Sequence, residues 1–99
     1  MKHFLVEITY TRPFEEIAPV VSQHRAFLQQ GYDCGWLLMS GPMHPRTGGI
    51  VIARAENEEQ LRDYFARDPY ALNQMAIYRF VEFDPVKYQP FLEMWITKS

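Results

Sequence analysis

The chain has 99 residues, of which 47% are hydrophobic and 15% aromatic, a composition typical of one folded domain rather than a disordered segment. Ten basic and twelve acidic residues give a formal net charge of −2 with no basic run, so neither nucleic acid nor an anionic membrane surface is an expected partner. A carboxylate at Glu7 and the lack of any long uncharged apolar run argue against a signal peptide or a membrane-spanning helix, and we expect a cytoplasmic protein.

The first half of the chain has the pattern of a strand, a helix and a second strand. Residues 3–10 alternate with the two-residue period of a strand that is covered on one face. A helix follows, with Pro19 in its first turn and with Gly31 expected to end it in a left-handed conformation. The buried stripe predicted for this helix consists of Ile17, Val20, Val21, His24 and Leu28. A short apolar run over residues 34–40 predicts the second strand.

The second half begins with a strand and a capped helix. The β-branched run 50–53 is joined to the second strand by a loop, so the two strands are predicted to be antiparallel neighbours. Asn57 is placed as the N-cap of the second helix, with Gln60 in a capping-box-like position. The buried stripe predicted for this helix is Leu61, Tyr64, Phe65 and Asp68.

A proline is predicted to end the second helix. Pro69 disfavours helical geometry at the residue before it, so the helix is expected to end at about Asp68. A turn over residues 70–74 then leads into 76–83, a run rich in β-forming residues that predicts the fourth strand.

The order of these elements predicts the fold class. A βαββαβ chain forms the ferredoxin-like α+β fold, a four-stranded antiparallel sheet with two helices on one face. The strands carry apolar residues on both sides, so a homodimer that pairs the open sheet faces is predicted. Residues 1–99 are assigned to a single domain, with a core of 1–85 and an aromatic extension of 86–99 that must pack on the sheet or on a second subunit.

Two polar residues lie on the predicted buried stripes, one on each helix. His24 taken alone is more often a core histidine, and Asp68 is more often a helix cap or a turn residue. A buried carboxylate is costly unless it is paired, however, and His24 is its predicted partner. In such a pair the aspartate selects the tautomer of the imidazole, and the other ring nitrogen can take a proton from carbon or from a phenolic oxygen.

Three further residues are candidates for binding a substrate. Ser40 and Tyr70 could each donate a hydrogen bond to a developing oxyanion, although the first is also an ordinary strand-end residue and the second an ordinary packing residue. Arg46, with His44 in the same loop, could meet an anionic substrate or could simply be solvated.

Neither a metal nor a cofactor is predicted. The histidines have no paired ligand spacing, and Gly48 and Gly49 lack the context of a phosphate-binding loop. Cys34 is the single cysteine. It cannot form an intramolecular disulfide and is expected to be a small buried hydrophobic residue. Proton transfer by a histidine and an aspartate needs no cofactor.

Four short segments also carry a resemblance to a known family. They are His24-Arg25-Ala26-Phe27-Leu28, Leu38-Met39-Ser40-Gly41-Pro42, Gly48-Gly49-Ile50-Val51-Ile52 and Arg67-Asp68-Pro69-Tyr70. In this order they resemble the YCII-related (YciI-like) family of the dimeric α+β barrel superfamily. The resemblance implies a ferredoxin-like dimer with an active-site histidine and aspartate at His24 and Asp68. It also implies a link to relatives that act on chlorinated hydroquinones or resemble muconolactone isomerases. The tail after Pro85 is not part of the family pattern.

Residues and resemblance together lead to one functional hypothesis. It is a small cytoplasmic homodimeric enzyme that carries out cofactor-independent elimination or isomerisation on a small cyclic or aromatic metabolite, with His24 as general base and Asp68 orienting it. One alternative is a non-catalytic small-molecule-binding or sensor module. A further alternative is a cofactor-free oxygenase.

Overall fold

A four-stranded antiparallel sheet forms the centre of the molecule. The computed structural model describes residues 1–97, so the last two residues of the predicted extension, Lys98 and Ser99, lie outside the described part. The strands are β1 (Lys2–Tyr10), β2 (Leu37–Pro42), β3 (Gly48–Ala55) and β4 (Ala76–Phe83). They are arranged in the order β2-β3-β1-β4, and every pair is antiparallel. This is the ferredoxin-like arrangement, and the predicted fold class is confirmed.

Two helical segments cover one face of the sheet. The first consists of α1 (Phe14–Ile17), a 3-10 turn (Ala18–Val20) and α2 (Val21–Asp33), and the second of α3 (Glu58–Phe65) and α4 (Pro69–Leu72). The core lies between these helices and the sheet. Its almost fully buried side chains include Phe4, Val6, Ile8, Ile17, Val51, Leu61, Phe65 and Tyr70. Each large apolar side chain buried in this way contributes about 1.5–3 kcal/mol relative to an exposed one. No helix within residues 1–97 is long and apolar enough to cross a membrane.

The end of the first helix differs from the prediction. Helix α2 continues past Gly31 to Asp33, and the left-handed turn occurs instead at Gly35, where φ is +84°. A Cβ atom at Gly31 would collide with the side chains of Tyr64 and Leu37. Glycine at this position therefore allows close packing of α2 against α3 and β2, a use that the sequence pattern does not distinguish from helix termination.

The longer helix also moves the start of the second strand. Because α2 continues to Asp33, β2 begins at Leu37 and not at Cys34. Cys34 is the C-cap of α2 and is exposed, so the prediction of a buried cysteine was wrong.

The second helical segment is divided in two, and this corrects the role predicted for Pro69. Helix α3 is capped by Asn57, whose side chain accepts a hydrogen bond of 2.8 Å from the backbone N–H of Gln60. It ends at Phe65 rather than at Asp68. Pro69 occupies the first turn of α4, with Asp68 as the N-cap in an extended conformation. A proline suits that position because the helix leaves the N–H of its first residue unpaired in any case.

The other face of the sheet is only partly covered, and it combines exposed apolar residues with the Glu7–Arg79 ion pair. Its exposed hydrophobic side chains are Met39, Ile50, Ile77 and Phe83. The extension ends in α5 (Glu93–Thr97) and covers one end of this face. There the ring of Trp95 lies 5.4 Å from that of His3 and 4.8 Å from the guanidinium carbon of Arg54. Arg54 also donates a hydrogen bond of 2.7 Å to the carbonyl of Trp95.

Candidate functional site

Asp68 is completely buried and its carboxylate accepts hydrogen bonds from three groups. The backbone N–H of Tyr70 donates to Oδ1 at 3.0 Å, which is the N-cap contact of α4. The hydroxyl of Tyr78 donates to Oδ2 at 2.7 Å. The Nδ1 atom of His24 lies 2.9 Å from Oδ1 and 3.0 Å from Oδ2. Asp68 is therefore both a helix cap and the partner of His24, and these contacts offset the cost of burying its charge.

His24 is held in one orientation by two contacts. Because an ionised carboxylate can only accept hydrogen bonds, Nδ1 carries the proton that it shares with Asp68. The imidazole also stacks on Tyr70, with ring centroids 4.0 Å apart and planes inclined by 10°. The side chain is 12% exposed, and Nε2 has no hydrogen-bond partner within residues 1–97. In the neutral tautomer the free lone pair is on Nε2, which can then accept a proton from a bound molecule.

Tyr78 is a member of this cluster that the sequence reasoning missed. It lies on β4, and the strand alternation places it on the helix-covered side of the sheet. Burial is the main cause that raises the pKa of its hydroxyl, followed by the charge of Asp68, so Tyr78 stays protonated and donates at neutral pH. The sequence did offer one indication of this role, because the hydroxyl of a tyrosine at a buried strand position needs a hydrogen-bond partner.

A cavity of about 190 Å³ lies beside His24, between α2, α4 and the sheet. The apolar side chains that line it from the helix-covered side include Ile8, Val21, Leu28 and Val51. Its polar lining is formed by Tyr10, His24, Arg25, Ser40, Arg46 and Tyr70. An engineered apolar cavity of about 150 Å³ is known to hold a benzene molecule, so this space suits one six-membered ring with small substituents.

Tyr70 lines the cavity and is packed in the core. It is 2% exposed and meets Tyr10 edge-on, with ring centroids 5.7 Å apart. Burial raises the pKa of the Tyr70 hydroxyl, and the neighbouring Tyr10 raises it further. Tyr70 is therefore protonated at neutral pH and remains a hydrogen-bond donor.

Ser40 and Arg46 line other parts of the same cavity. The hydroxyl of Ser40 is 2.6 Å from that of Tyr32, and either oxygen can donate in this pair. The guanidinium carbon of Arg46 lies 4.4 Å from the centre of the Phe14 ring. His44, which belongs to the same loop, is exposed and does not line the cavity.

The structure thus brings four of the five predicted site residues to one cavity and places Asp68 behind His24. Arg25 and Tyr10 also line it, although the sequence reasoning gave neither a role. Within residues 1–97 no group of three His, Cys, Asp or Glu side chains is placed to hold a metal ion.

Fold and site together define a small ferredoxin-like α+β protein with a histidine and carboxylate pair at the wall of a cavity. The YCII-related domain model matches residues 1–84, and the chain belongs to that family. The predicted resemblance is confirmed, and the match stops before the C-terminal extension. No curated protein sequence matches the chain.

One solved structure with the same fold is 5-chloro-2-hydroxyhydroquinone dehydrochlorinase from Burkholderia phenoliruptrix, in complex with 2,5-dihydroxybenzoquinone. The two structures superpose with a TM-score of 0.67 over 88% of this chain and 93% of that chain, at 16% sequence identity. At this identity the similarity shows a shared fold.

Proposed function

We propose that this protein is a small cytoplasmic enzyme that catalyses cofactor-independent proton transfer, as elimination or isomerisation, on a small cyclic or aromatic metabolite. His24 is the general base and Asp68 orients it. The observation that supports this most strongly is the contact of Nδ1 with both carboxylate oxygens, which leaves Nε2 of a cavity-lining histidine without a partner among residues 1–97. A base within reach of the proton that it removes is the first requirement of such chemistry.

The proposed reaction balances without an oxidant or reductant. In an elimination, a chlorinated hydroquinone first shifts a hydroxyl proton to the carbon that bears chlorine, which gives the keto tautomer with a saturated C–Cl carbon. Nε2 of His24 then takes a proton from a remaining hydroxyl group, or from a saturated ring carbon in a non-aromatic substrate. The electron pair of the broken O–H or C–H bond becomes a new double bond. The leaving group, such as chloride, departs with the electron pair of its own bond. In an isomerisation, the imidazolium returns the proton to a different carbon. In both cases the negative charge of Asp68 stabilises the imidazolium that forms.

Tyr70 and Ser40 are proposed to bind the substrate. When a proton leaves a carbon next to a ring oxygen, negative charge develops on that oxygen, and a hydrogen-bond donor held in place stabilises it. The Tyr70 hydroxyl stays protonated because burial raises its pKa, and it can donate to a substrate in place of its hydrogen bond with Tyr10. Ser40 is paired with Tyr32 and can donate to a substrate when the Tyr32 hydroxyl donates to it.

The related dehydrochlorinase supports this substrate class. Its name describes the removal of hydrogen chloride from a hydroquinone, and the molecule bound in its structure has a single ring. The cavity beside His24 has space for a molecule of that size.

We also propose that the protein forms a homodimer through its open sheet face. The support is the group of exposed apolar side chains on that face, of which Met39 is 54% and Ile77 63% exposed. Exposed apolar side chains on an uncovered sheet face are typical of an interface.

A non-catalytic binding or sensor module is the second candidate function. It is favoured by the hydrogen bonds of Asp68, because a helix cap and a buried tyrosine contact stabilise the fold whether or not the site performs chemistry. In that case the cavity would recognise a small molecule without changing it.

One assay separates these functions. We expect the wild-type protein, incubated with 5-chloro-2-hydroxyhydroquinone, to release chloride without consuming oxygen. Tight binding of the compound with no chloride release would contradict the enzyme proposal and favour the binding module. Oxygen consumption that depends on the protein would instead indicate a cofactor-free oxygenase.

A further inference from the structure

The charged side chains that line the cavity are all positive. Among residues 1–97 the cavity lining contains two arginines, Arg25 and Arg46, and no aspartate or glutamate. Asp68 lies behind the imidazole of His24 and is fully buried, so a molecule in the cavity meets the imidazole before the carboxylate. With His24 neutral, the two guanidinium charges outweigh the single carboxylate charge.

The two arginines also differ from most others in the described part of the chain because no carboxylate neutralises them. Arg12, Arg62 and Arg79 each lie within 4.0 Å of a glutamate, at 3.7, 2.6 and 3.3 Å. Neither Arg25 nor Arg46 forms an ion pair or a hydrogen bond within residues 1–97. Their guanidinium groups are therefore available to a ligand.

Arg46 is the better placed of the two. Its guanidinium group packs on the ring of Phe14, which restricts its orientation, and its Nε atom is buried without a hydrogen-bond partner. An arginine that is held by an aromatic ring and not neutralised is suited to planar, two-point recognition of an oxygen anion. Arg25 is exposed, so solvent weakens its contribution.

We infer that Arg46, assisted by Arg25, binds an anionic oxygen substituent of a one-ring substrate, either a carboxylate or an ionised hydroxyl group, while the apolar wall holds the ring. This inference rests on the proposed function for the identity of the ligand as a substrate, and it makes Arg46 the residue that determines charge specificity. Arg46 and His24 line the same cavity, so a ring bound there can present its anionic group to the arginine and its reacting carbon to the histidine.

Binding of simple ring compounds tests the inference without any turnover. The probes are benzoate with its uncharged analogue benzamide, and 4-nitrophenolate with its uncharged analogue 4-nitroanisole, each titrated by calorimetry at low and at high salt. Shifts of the His24 and Tyr70 ring signals in NMR spectra report whether the cavity is the site. We expect at least one anion to bind about tenfold more tightly than its analogue, with a preference that falls as salt increases.

Three arginine variants test which residue causes the preference for an anion over its uncharged analogue. Arg46→Met should abolish it, and Arg25→Met should reduce it. Arg12→Met removes the same charge from an exposed arginine that does not line the cavity, and it should keep the preference. Which of the two anions is favoured identifies the substituent as a carboxylate or a phenolate. The inference is overturned if neither anion binds more tightly than its analogue, or if Arg46→Met retains the preference.

These outcomes are separate from those of the proposed reaction. Anion preference that depends on Arg46, in a protein that never releases chloride, would keep the anion site and remove only the enzymatic proposal. Chloride release with no anion preference would keep the enzymatic proposal and remove the anion site.

Discussion

The Nδ1 atom of His24 contacts both oxygens of Asp68, at 2.9 and 3.0 Å, although 44 positions separate the two residues in the chain. The contact depends on the start of α4. As its N-cap, Asp68 accepts the backbone N–H of Tyr70, and this local hydrogen bond directs the carboxylate. Tyr70 in turn stacks on the His24 ring. The segment Asp68-Pro69-Tyr70 therefore holds the imidazole of His24 by two contacts, the hydrogen bond from Nδ1 to the carboxylate and the stacking of the Tyr70 ring.

The hydroxyl of Tyr78 is expected to stabilise the buried carboxylate. Tyr78→Phe leaves Asp68 with one donor fewer in a buried site, so the free energy of unfolding should fall by about 1–2 kcal/mol in urea titrations. Tyr88→Phe is the matched control, since its hydroxyl bonds Glu93 in an exposed position, and it should cause no measurable change. Equal effects of the two variants would contradict the role given to Tyr78.

Gly31 is expected to be required for helix packing. Gly31→Ala adds a methyl group against the side chains of Tyr64 and Leu37, so it should destabilise the fold by about 1–3 kcal/mol despite the higher helix propensity of alanine. Gly41→Ala is the control because a Cβ there meets no atom of the described residues within 4 Å. Thermal unfolding of both variants tests the difference, and a Gly31→Ala protein as stable as wild type would show that the packing is looser than described.

His3 should make the protein less stable in acid. Burial, the N-terminal ammonium group and Arg54 lower the pKa of His3 below its ordinary 6.5, against smaller opposing effects of Asp84 and the Trp95 backbone. As the pH falls below 6.5, the unfolded chain takes up a proton that the native imidazole resists, so stability is lost in that window and is unaffected above it. Urea titrations at about pH 5 and about pH 7.5 should show a smaller difference for His3→Gln than for wild type. His44→Gln, which changes an exposed loop histidine, should keep the wild-type difference.

A charged side chain introduced on the open sheet face should disrupt the proposed homodimer. Ile77 is 63% exposed on this face, and Ile77→Lys should shift the protein from dimer to monomer in sedimentation experiments at micromolar concentration. Leu72 is equally apolar and 68% exposed, but it lies on α4, so Leu72→Lys should leave the dimer intact. A wild-type protein that sediments as a monomer would contradict the proposed dimer.

Local patterns predicted much of the fold because strands and helix starts are encoded by nearby residues. The alternation in residues 3–10 and the cap at Asn57 correspond to β1 and to the start of α3. Errors arose where one residue type has two uses. Gly31 serves close packing rather than a helix end, and Pro69 begins a helix rather than stopping one. Only the contacts of distant residues decide between such uses.

The candidate site was predictable in part for the same reason. The polar residues on the two predicted buried stripes, the cost of an unpaired buried carboxylate and the family resemblance together predicted that His24 and Asp68 meet. The part played by Tyr78 depends on the register of β4 against β1, and the part played by Arg25 depends on how α2 faces the cavity. Neither is encoded in the residues beside them.

Chloride release from 5-chloro-2-hydroxyhydroquinone by the His24→Gln variant tests the general-base role most directly. Glutamine keeps the polarity and approximate size of the side chain but cannot accept the proton. General-base catalysis contributes about 10² to 10⁴ in rate, so kcat should fall at least about a hundredfold while circular dichroism shows an intact fold. His44→Gln should retain the wild-type rate. A His24→Gln protein that releases chloride as fast as wild type would contradict the account.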